Sequence, residues 1–384
     1  MKTILLKIGL IAIILCSITG CWSKVELDQR IFVNGLFVDV GEEPGTVKVS
    51  ISTPLTNRLD SDQLSGGGGG KDKPYSLITK QSTSIGKALE YIHKDLSRQL
   101  SLSEIKVVMI SEQYGEEGIG DLLEWIKREP DVPIGAYLLV ASGKLDDAAH
   151  LTPIFEQLPT TVLLSFATQG YMLNTTIRDC IVADAAGLGY AATLLQNDKI
   201  HSAADAHKSE TWTGIKGAAL FQQGRLKGTL PYEEAKTIAW AHGHLKFPIY
   251  SVQWDHGKSK ADLKFTYTNG KTSVRMTPNG PVFTVHLKGR ASIIAKKDAS
   301  HRDVKDISGT IMNQMRETVS EDFRKSIAYS QQIGADVLQL GFLLEWNAPQ
   351  YWQQVKGKWP EHYKKDAEVR VVTKLSLDDY GKEY

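Results

Sequence analysis

Two serine–lysine pairs have the spacing of acyl-transfer nucleophiles: Ser84-Ile-Gly-Lys87 and Ser103-Glu-Ile-Lys106. In such enzymes a serine one helical turn from a lysine attacks a carbonyl carbon, and further motifs complete the site. Lys271-Thr272-Ser273 could stand as one partner triplet, but the chain contains no Ser-Asp-Asn, and Ser84 is also well placed to cap a helix. Gly270-Lys271-Thr272 ends like a phosphate-binding loop, yet Phe265 occupies the place of its first glycine. The tract Gly66 to Lys71 fails at both outer positions, which are Ser65 and Asp72. His242-Gly-His244 would put two imidazoles on one strand face, a spacing metals use, but no carboxylate or third histidine is near in sequence. Trp346, Tyr351, Trp352, Trp359 and Tyr363, set among lysines and His362, could stack on sugars or bases. Tyr351, Trp352 and Val355 have core spacing, so helix packing is the plainer reading, and an aromatic left exposed would suit a partner interface. These residues imply no catalytic site, no cofactor and no metal.

Cys21 is different, because its surroundings specify a reaction. Lys2 and Lys7 precede an apolar run, Ile8 to Ile18, of eleven residues. As a helix that run spans about 17 Å, too short for a ~30 Å hydrocarbon core but right for the apolar stretch of an export signal. Ile18-Thr19-Gly20-Cys21 then resembles a bacterial lipobox. In that setting the Cys21 thiol receives a diacylglyceryl group, cleavage falls between Gly20 and Cys21, and the freed amine is acylated. Two or more chains hold a protein on a membrane where one does not. The competing reading is an ordinary export signal with an incidental cysteine. Cys16 lies inside the leader, so Cys180 would be the single unmodified cysteine, without a disulfide partner in its own chain.

The rest of the chain must then supply folded domains beside a membrane. Its 384 residues are 42% hydrophobic and 23% charged, which fits globular domains with cores of their own and excludes a disordered or polytopic membrane protein. Forty-five basic residues against 44 acidic ones give no sign of a nucleic-acid partner, though a local patch stays open.

Residues 31–40 and 46–53 read as two strands of a hairpin, followed by a glycine-rich surface loop over 57–74. Ile85, Ala88, Leu89, Ile92 and Leu96 make an amphipathic helix capped by Ser84. A strand at 105–110, a helix at 119–126 stopped by Pro130 and Pro133, and a strand at 134–141 imply a βαβ unit. Residues 146–198 read as mostly helix and loop.

From Trp212 to about residue 295 the pattern is β-rich, with a hairpin at Gln223-Gly224 and turns expected at Asn269-Gly270 and Asn279-Gly280. A long amphipathic helix follows at about 304–340, with Ile307, Ile311, Met315, Val319, Phe323 and Ile327 on one face. A short helix from Pro349 and a strand at 369–375 close the chain. The class is α+β and multidomain, with mixed sheets and flanking helices. The expected divisions are a leader at 1–20, an N-terminal α/β domain at 21–205, and a C-terminal α+β portion at 206–384 that could itself be two domains.

Several stretches together resemble the Ger(x)C family of spore germination lipoproteins. Cys21-Trp-Ser-Lys-Val-Glu-Leu27 and Val33-Asn-Gly-Leu-Phe-Val-Asp39 look like the family's mature start, with Ser23 in place of its usual aspartate. Ile110-Ser-Glu-Gln-Tyr-Gly115, Ile126-Lys-Arg-Glu-Pro-Asp131 and Ala136-Tyr-Leu-Leu-Val-Ala141 resemble its first-domain core. The segment Lys216 to Leu230 resembles the hairpin opening its C-terminal part, and Val337-Leu-Gln-Leu-Gly-Phe342 with Trp352 and Trp359-Pro360 its terminal region. The glycine tract looks like an insertion in a variable loop.

The resemblance implies a three-domain α+β fold without an active site. It also implies a lipid-anchored C subunit of a nutrient germinant receptor at the inner spore membrane, working with integral-membrane A and B subunits. Cys21 is the one site residue it transfers. Two other readings remain from the residues alone: a solute-binding lipoprotein of a transporter, and a surface hydrolase.

Overall fold

The computed structural model describes residues 26–55, 73–151, 153, 156–202 and 205–379. The leader, Gly20, Cys21 and the glycine tract Gly66–Gly70 lie outside the described residues.

Three sheets organise the chain. The largest is built around β2 (Gly35–Val40), β6 (Val107–Ser111), β7 (Tyr137–Ser142) and β8 (Gly189–Ser202), which run parallel. β3 (Val47–Pro54) and β4 (Tyr75–Ser82) extend one side, and β9 (Asp205–Gln222) and β10 (Arg225–Pro231) the other. The order is β10-β9-β8-β7-β6-β2-β3-β4. All five residues of β6 are buried, as expected of a parallel strand covered on both faces.

Leu36, Val108, Ile110, Leu138 and Val140 share a core with the apolar faces of α1 (Ile85–Lys94), α3 (Gly120–Arg128) and α6 (Ile177–Ala185). Phe37, Met109, Leu139 and Ala141 pack on the opposite side with α4 (Leu145–Ala149) and α5 (Pro159–Thr168). A short helix, α2 (Glu112–Glu117), follows β6 directly. β1 (Arg30–Phe32) lies outside this sheet and pairs in parallel with β5 (Gln99–Ser101) as a two-stranded sheet.

Residues 146–198 hold a strand that the sequence reading leaves out. Ala191, Ala192, Leu194 and Leu195 of β8 have good helix propensity in isolation. Flanked by β7 and β9 and buried, the segment is held extended by pairing on both edges. The hairpin at Gln223-Gly224 forms as expected, with φ of 52° and 65° suiting a two-residue turn. The sheet therefore runs from residue 35 to 231, and the division expected at 205/206 falls within the β8–β9 hairpin.

After α7 (Tyr232–Ala241) come β11 (Ile249–Trp254), β12 (Ser259–Thr277), β13 (Gly280–Lys297) and, much later, β14 (Glu368–Asp379), in that spatial order. β14 lies parallel to β13 and the other pairs are antiparallel. Asn269-Gly270 is not a turn: it lies inside β12, paired with Lys288 and Leu287. Glycine is needed there for close approach, because a Cβ at position 270 would sit 2.2 Å from the Trp240 carbonyl oxygen.

The long helix α8 (Val304–Ile333) buries Ile307, Ile311, Met315, Val319, Phe323 and Ile327 against Leu263, Phe265, Val285, Leu287 and Leu375. It stops short of the expected 340 because Gly334 takes φ +73°, the left-handed helix-ending conformation. Finally α9 (Leu340–Asn347), α10 (Pro349–Val355) and α11 (Trp359–Lys365) carry Leu340, Leu344, Trp352, Trp359 and Tyr363 back into the core of the first sheet. No helix among the described residues is long and apolar enough to cross a membrane.

Candidate functional site

Cys21 lies outside the described residues, but covalent geometry keeps its Cα within about 17 Å of Glu26, where the described chain begins. Leu27, 74% exposed, starts that end. A cavity of about 620 Å³ lies beside it, lined by Leu27, Arg30, Phe32, Leu55, Ile78 and Arg98 among others. Leu55 and Pro74, which flank the segment holding the glycine tract, are joined by a backbone hydrogen bond of 2.8 Å. Leu27, at the start of the described chain, and Leu55, which flanks that segment, thus line the same cavity.

The residues with catalytic spacing are engaged structurally. Ser84 Oγ accepts the Lys87 amide at 3.2 Å as cap of α1, and Lys87 Nζ reaches Glu90 at 2.7 Å. Lys106 faces Glu104 at 3.6 Å rather than Ser103. Lys271, Thr272 and Ser273 are spread along β12. Cys180 is buried, and desolvation pushes its thiol pKa well up.

His242 and His244 do come together, but not on a strand. Glu233, Glu234, Ala235, Lys236 and Ala239 favour helix, so His242 caps the C-terminus of α7 and His244 follows Gly243 at φ +76°. The rings stack with centroids 5.4 Å apart. His242 Nε2 donates to the Val337 carbonyl at 2.8 Å, while the Asn174 amide donates to His244 Nδ1 at 3.4 Å. Those contacts set the tautomers: His242 Nδ1 keeps a lone pair and His244 Nε2 keeps its proton.

One free lone pair is a poor start for a metal centre, and no third histidine, cysteine or carboxylate among the described residues completes a set. The pair lines a polar cleft of about 400 Å³ between the first sheet and the segments that follow α7 and α8, with Tyr137, Thr175, Arg178 and Gln339 on other walls. Asp179, also on the wall, is used in a reciprocal cap with Thr176. Burial pushes His242 below its ordinary pKa; burial and then the neighbouring ring bring His244 to about 4.

Val337 belongs to the joint where the chain turns back from the second sheet to the first. Asp336 there is fully buried and accepts from the Leu340 amide (2.9 Å), the Gly341 amide (3.0 Å) and Trp359 Nε1 (2.8 Å). Desolvation outweighs those donors and raises its carboxyl pKa to about 6. Sequence reading missed Asp336, since nothing local distinguishes it from a surface aspartate.

Most of the aromatic stretch packs inward as spacing suggested: Trp352, Trp359 and Tyr363 are buried. Trp346 is 75% exposed and stacks on Phe342 at 6.3 Å. A second apolar groove of about 190 Å³ lies between Phe166, Tyr171 and Trp212, which the sequence separates too widely to associate.

Comparison with known proteins places these features in a family. Residues 23–183 match the model of the spore germination protein N-terminal domain, and residues 216–381 the C-terminal model described as spore germination B3/GerAC like. Spore germination protein KC of Bacillus subtilis (strain 168) is 21% identical over 99% of this chain and 96% of its own. Spore germination protein B3 of the same organism is 22% identical over 95% of this chain and 97% of its own. The crystal structure of the GerBC protein superposes with a TM-score of 0.57 at 16% identity, covering 90% of this chain and 97% of that one. The chain belongs to the Ger(x)C family, the C subunits of spore germinant receptors.

Proposed function

We propose that the chain is a lipid-anchored, non-catalytic subunit of a nutrient germinant receptor, required for germination in response to nutrients. It is held through acylated Cys21 at the outer surface of the inner spore membrane and works with integral-membrane A and B subunits. The observation that carries this reading is positional: the N-terminal family match begins at residue 23, two residues beyond the cysteine of the lipobox. The family domain thus starts where the leader would end. A transporter's solute-binding lipoprotein would show two similar doubly wound lobes, whereas the sheets here have eight and four strands and different topologies.

The tether supplies the mechanism. Anchoring confines the folded part to a thin layer above the bilayer, which raises its effective concentration beside embedded partners without any new contact. Cys21→Ala is expected to abolish nutrient-triggered germination while leaving the circular dichroism spectrum and melting temperature of the folded part unchanged. Normal germination of spores carrying only that variant would refute the anchor.

A further inference from the structure

The four-stranded sheet has an inner face against α7 and α8 and an outer face of exposed side chains. Between the rows of Lys264 and Arg275 that outer face carries seven cations: Lys264, Lys271, Arg275, Lys288, Arg290, Arg370 and Lys374. Among the described side chains two exposed carboxylates accompany them, and both are already engaged: Glu368 with Arg370 at 2.5 Å and Asp378 with Arg290 at 3.8 Å. Among the described residues the other five cations have no ion-pair partner. This face of a chain whose net charge is +1 thus carries a local excess of positive charge.

The register sharpens the point. Lys288 lies directly across from Lys374 on β14, with Asn269 on its other side, and Lys271 lies across from His286. Like charges directly opposite on neighbouring strands weaken a sheet. The fold carries that cost without an internal counter-charge, which points to an anionic partner outside it. The cations do not converge on a point, as a site for one small anion would require. They run along the strands for about 36 Å, at about 3.3 Å per residue. Exposed Tyr267 and Val372 stand among them.

We propose that this face docks on an anionic phospholipid bilayer, its cations meeting headgroup phosphates and Tyr267 lying at headgroup depth. The choice of a bilayer over an acidic protein rests on the reading that Cys21 is acylated, since a chain tethered at a membrane meets that surface first. A tether at one end leaves the tilt of the molecule undetermined. A second, electrostatic contact fixes it, and with it the face shown to embedded partners.

The test uses the mature chain with Cys21→Ser, so that no acyl group contributes, in flotation with vesicles of phosphatidylglycerol and phosphatidylcholine or of phosphatidylcholine alone. Binding is expected to the first and not to the second, and to fade as salt is raised. Lys288→Glu with Lys374→Glu is expected to weaken it about tenfold or more. Lys87→Glu with Lys94→Glu on α1 changes net charge equally and is expected to leave it within about twofold. Equal binding to both vesicles, an equal loss from the α1 pair, or no binding to anionic vesicles would overturn the proposal. Loss of co-purifying proteins in the Lys288/Lys374 variant, without vesicle binding by the parent, would assign the face to a protein partner and overturn it too. Failure here leaves the Cys21 reading intact, because that reading is decided by germination of Cys21→Ala spores.

Discussion

At the scale of single residues, His244 and Asp336 oppose one another as pH changes. His244 titrates near 4 in the folded chain, below its ordinary 6.5. As pH falls from 6.5 towards 4 the unfolded chain gains a proton that the folded one refuses, and stability is lost. Asp336 titrates near 6, above its ordinary 3.8. Between 6 and 3.8 the folded chain binds the proton first, so the same fall in pH adds stability. Denaturant midpoints from pH 4 to 8 should separate the two. His244→Gln is expected to lose less stability than the parent on acidification, by on the order of 2 kcal/mol. Parallel pH profiles for parent and variant would contradict the buried, neutral imidazole.

The proposal for Cys21 rests on sequence alone, because a lipobox is a local chemical pattern that needs no fold to be read. The histidine spacing was legible but its setting was not, since the contact that fixes it joins His242 to Val337, 95 residues away in sequence. Asp336 was invisible because its meaning comes from Trp359 and from a helix start that the sequence alone does not mark.

At the scale of elements, backbone contacts decide where the pattern misleads. Asn269-Gly270 has the composition of a turn, yet the pairing of β12 and β13 runs through it, and the glycine admits the end of α7 against the sheet. Gly270→Ala is expected to destabilise the fold by about 1–3 kcal/mol, because the added methyl meets the carbonyls of Trp240 and Ala241 and not a side chain that could move. A melting temperature equal to the parent's would refute that close approach. The outer face of the same sheet makes the opposite kind of prediction. Lys374→Glu turns a repulsive cross-strand pair with Lys288 into an attractive one and is expected to raise stability by about 0.2–1 kcal/mol in low salt. An unchanged or lower denaturant midpoint would show that the two lysines do not feel one another.

Helices with a clean apolar period, α1, α3 and α8, were readable because the period is itself the burial pattern. β8 was not, since its alanines and leucines become a strand only through neighbours on both sides.

At the scale of the whole molecule, the two large sheets are tied by the returning C-terminal helices. Trp352, Trp359 and Tyr363 bury themselves with Tyr190 and Phe221 of the first sheet. Tyr363 also bonds Ser330 of α8 at 2.8 Å. The α+β class was legible from the succession of elements, while this tie was not, because it joins residues that share no local pattern. A molecule so built holds exposed Trp346 and the outer face of the four-stranded sheet in fixed relation to the first sheet.

The central claim is that it does so as one member of a receptor with embedded partners. The most direct measurement is affinity purification of the full-length protein from gently solubilised spore membranes, with its companions identified by mass spectrometry. Recovery of a transporter-like protein together with a larger channel-type protein is the expected result. Recovery of a permease and an ATPase instead, or of the chain alone, would contradict it.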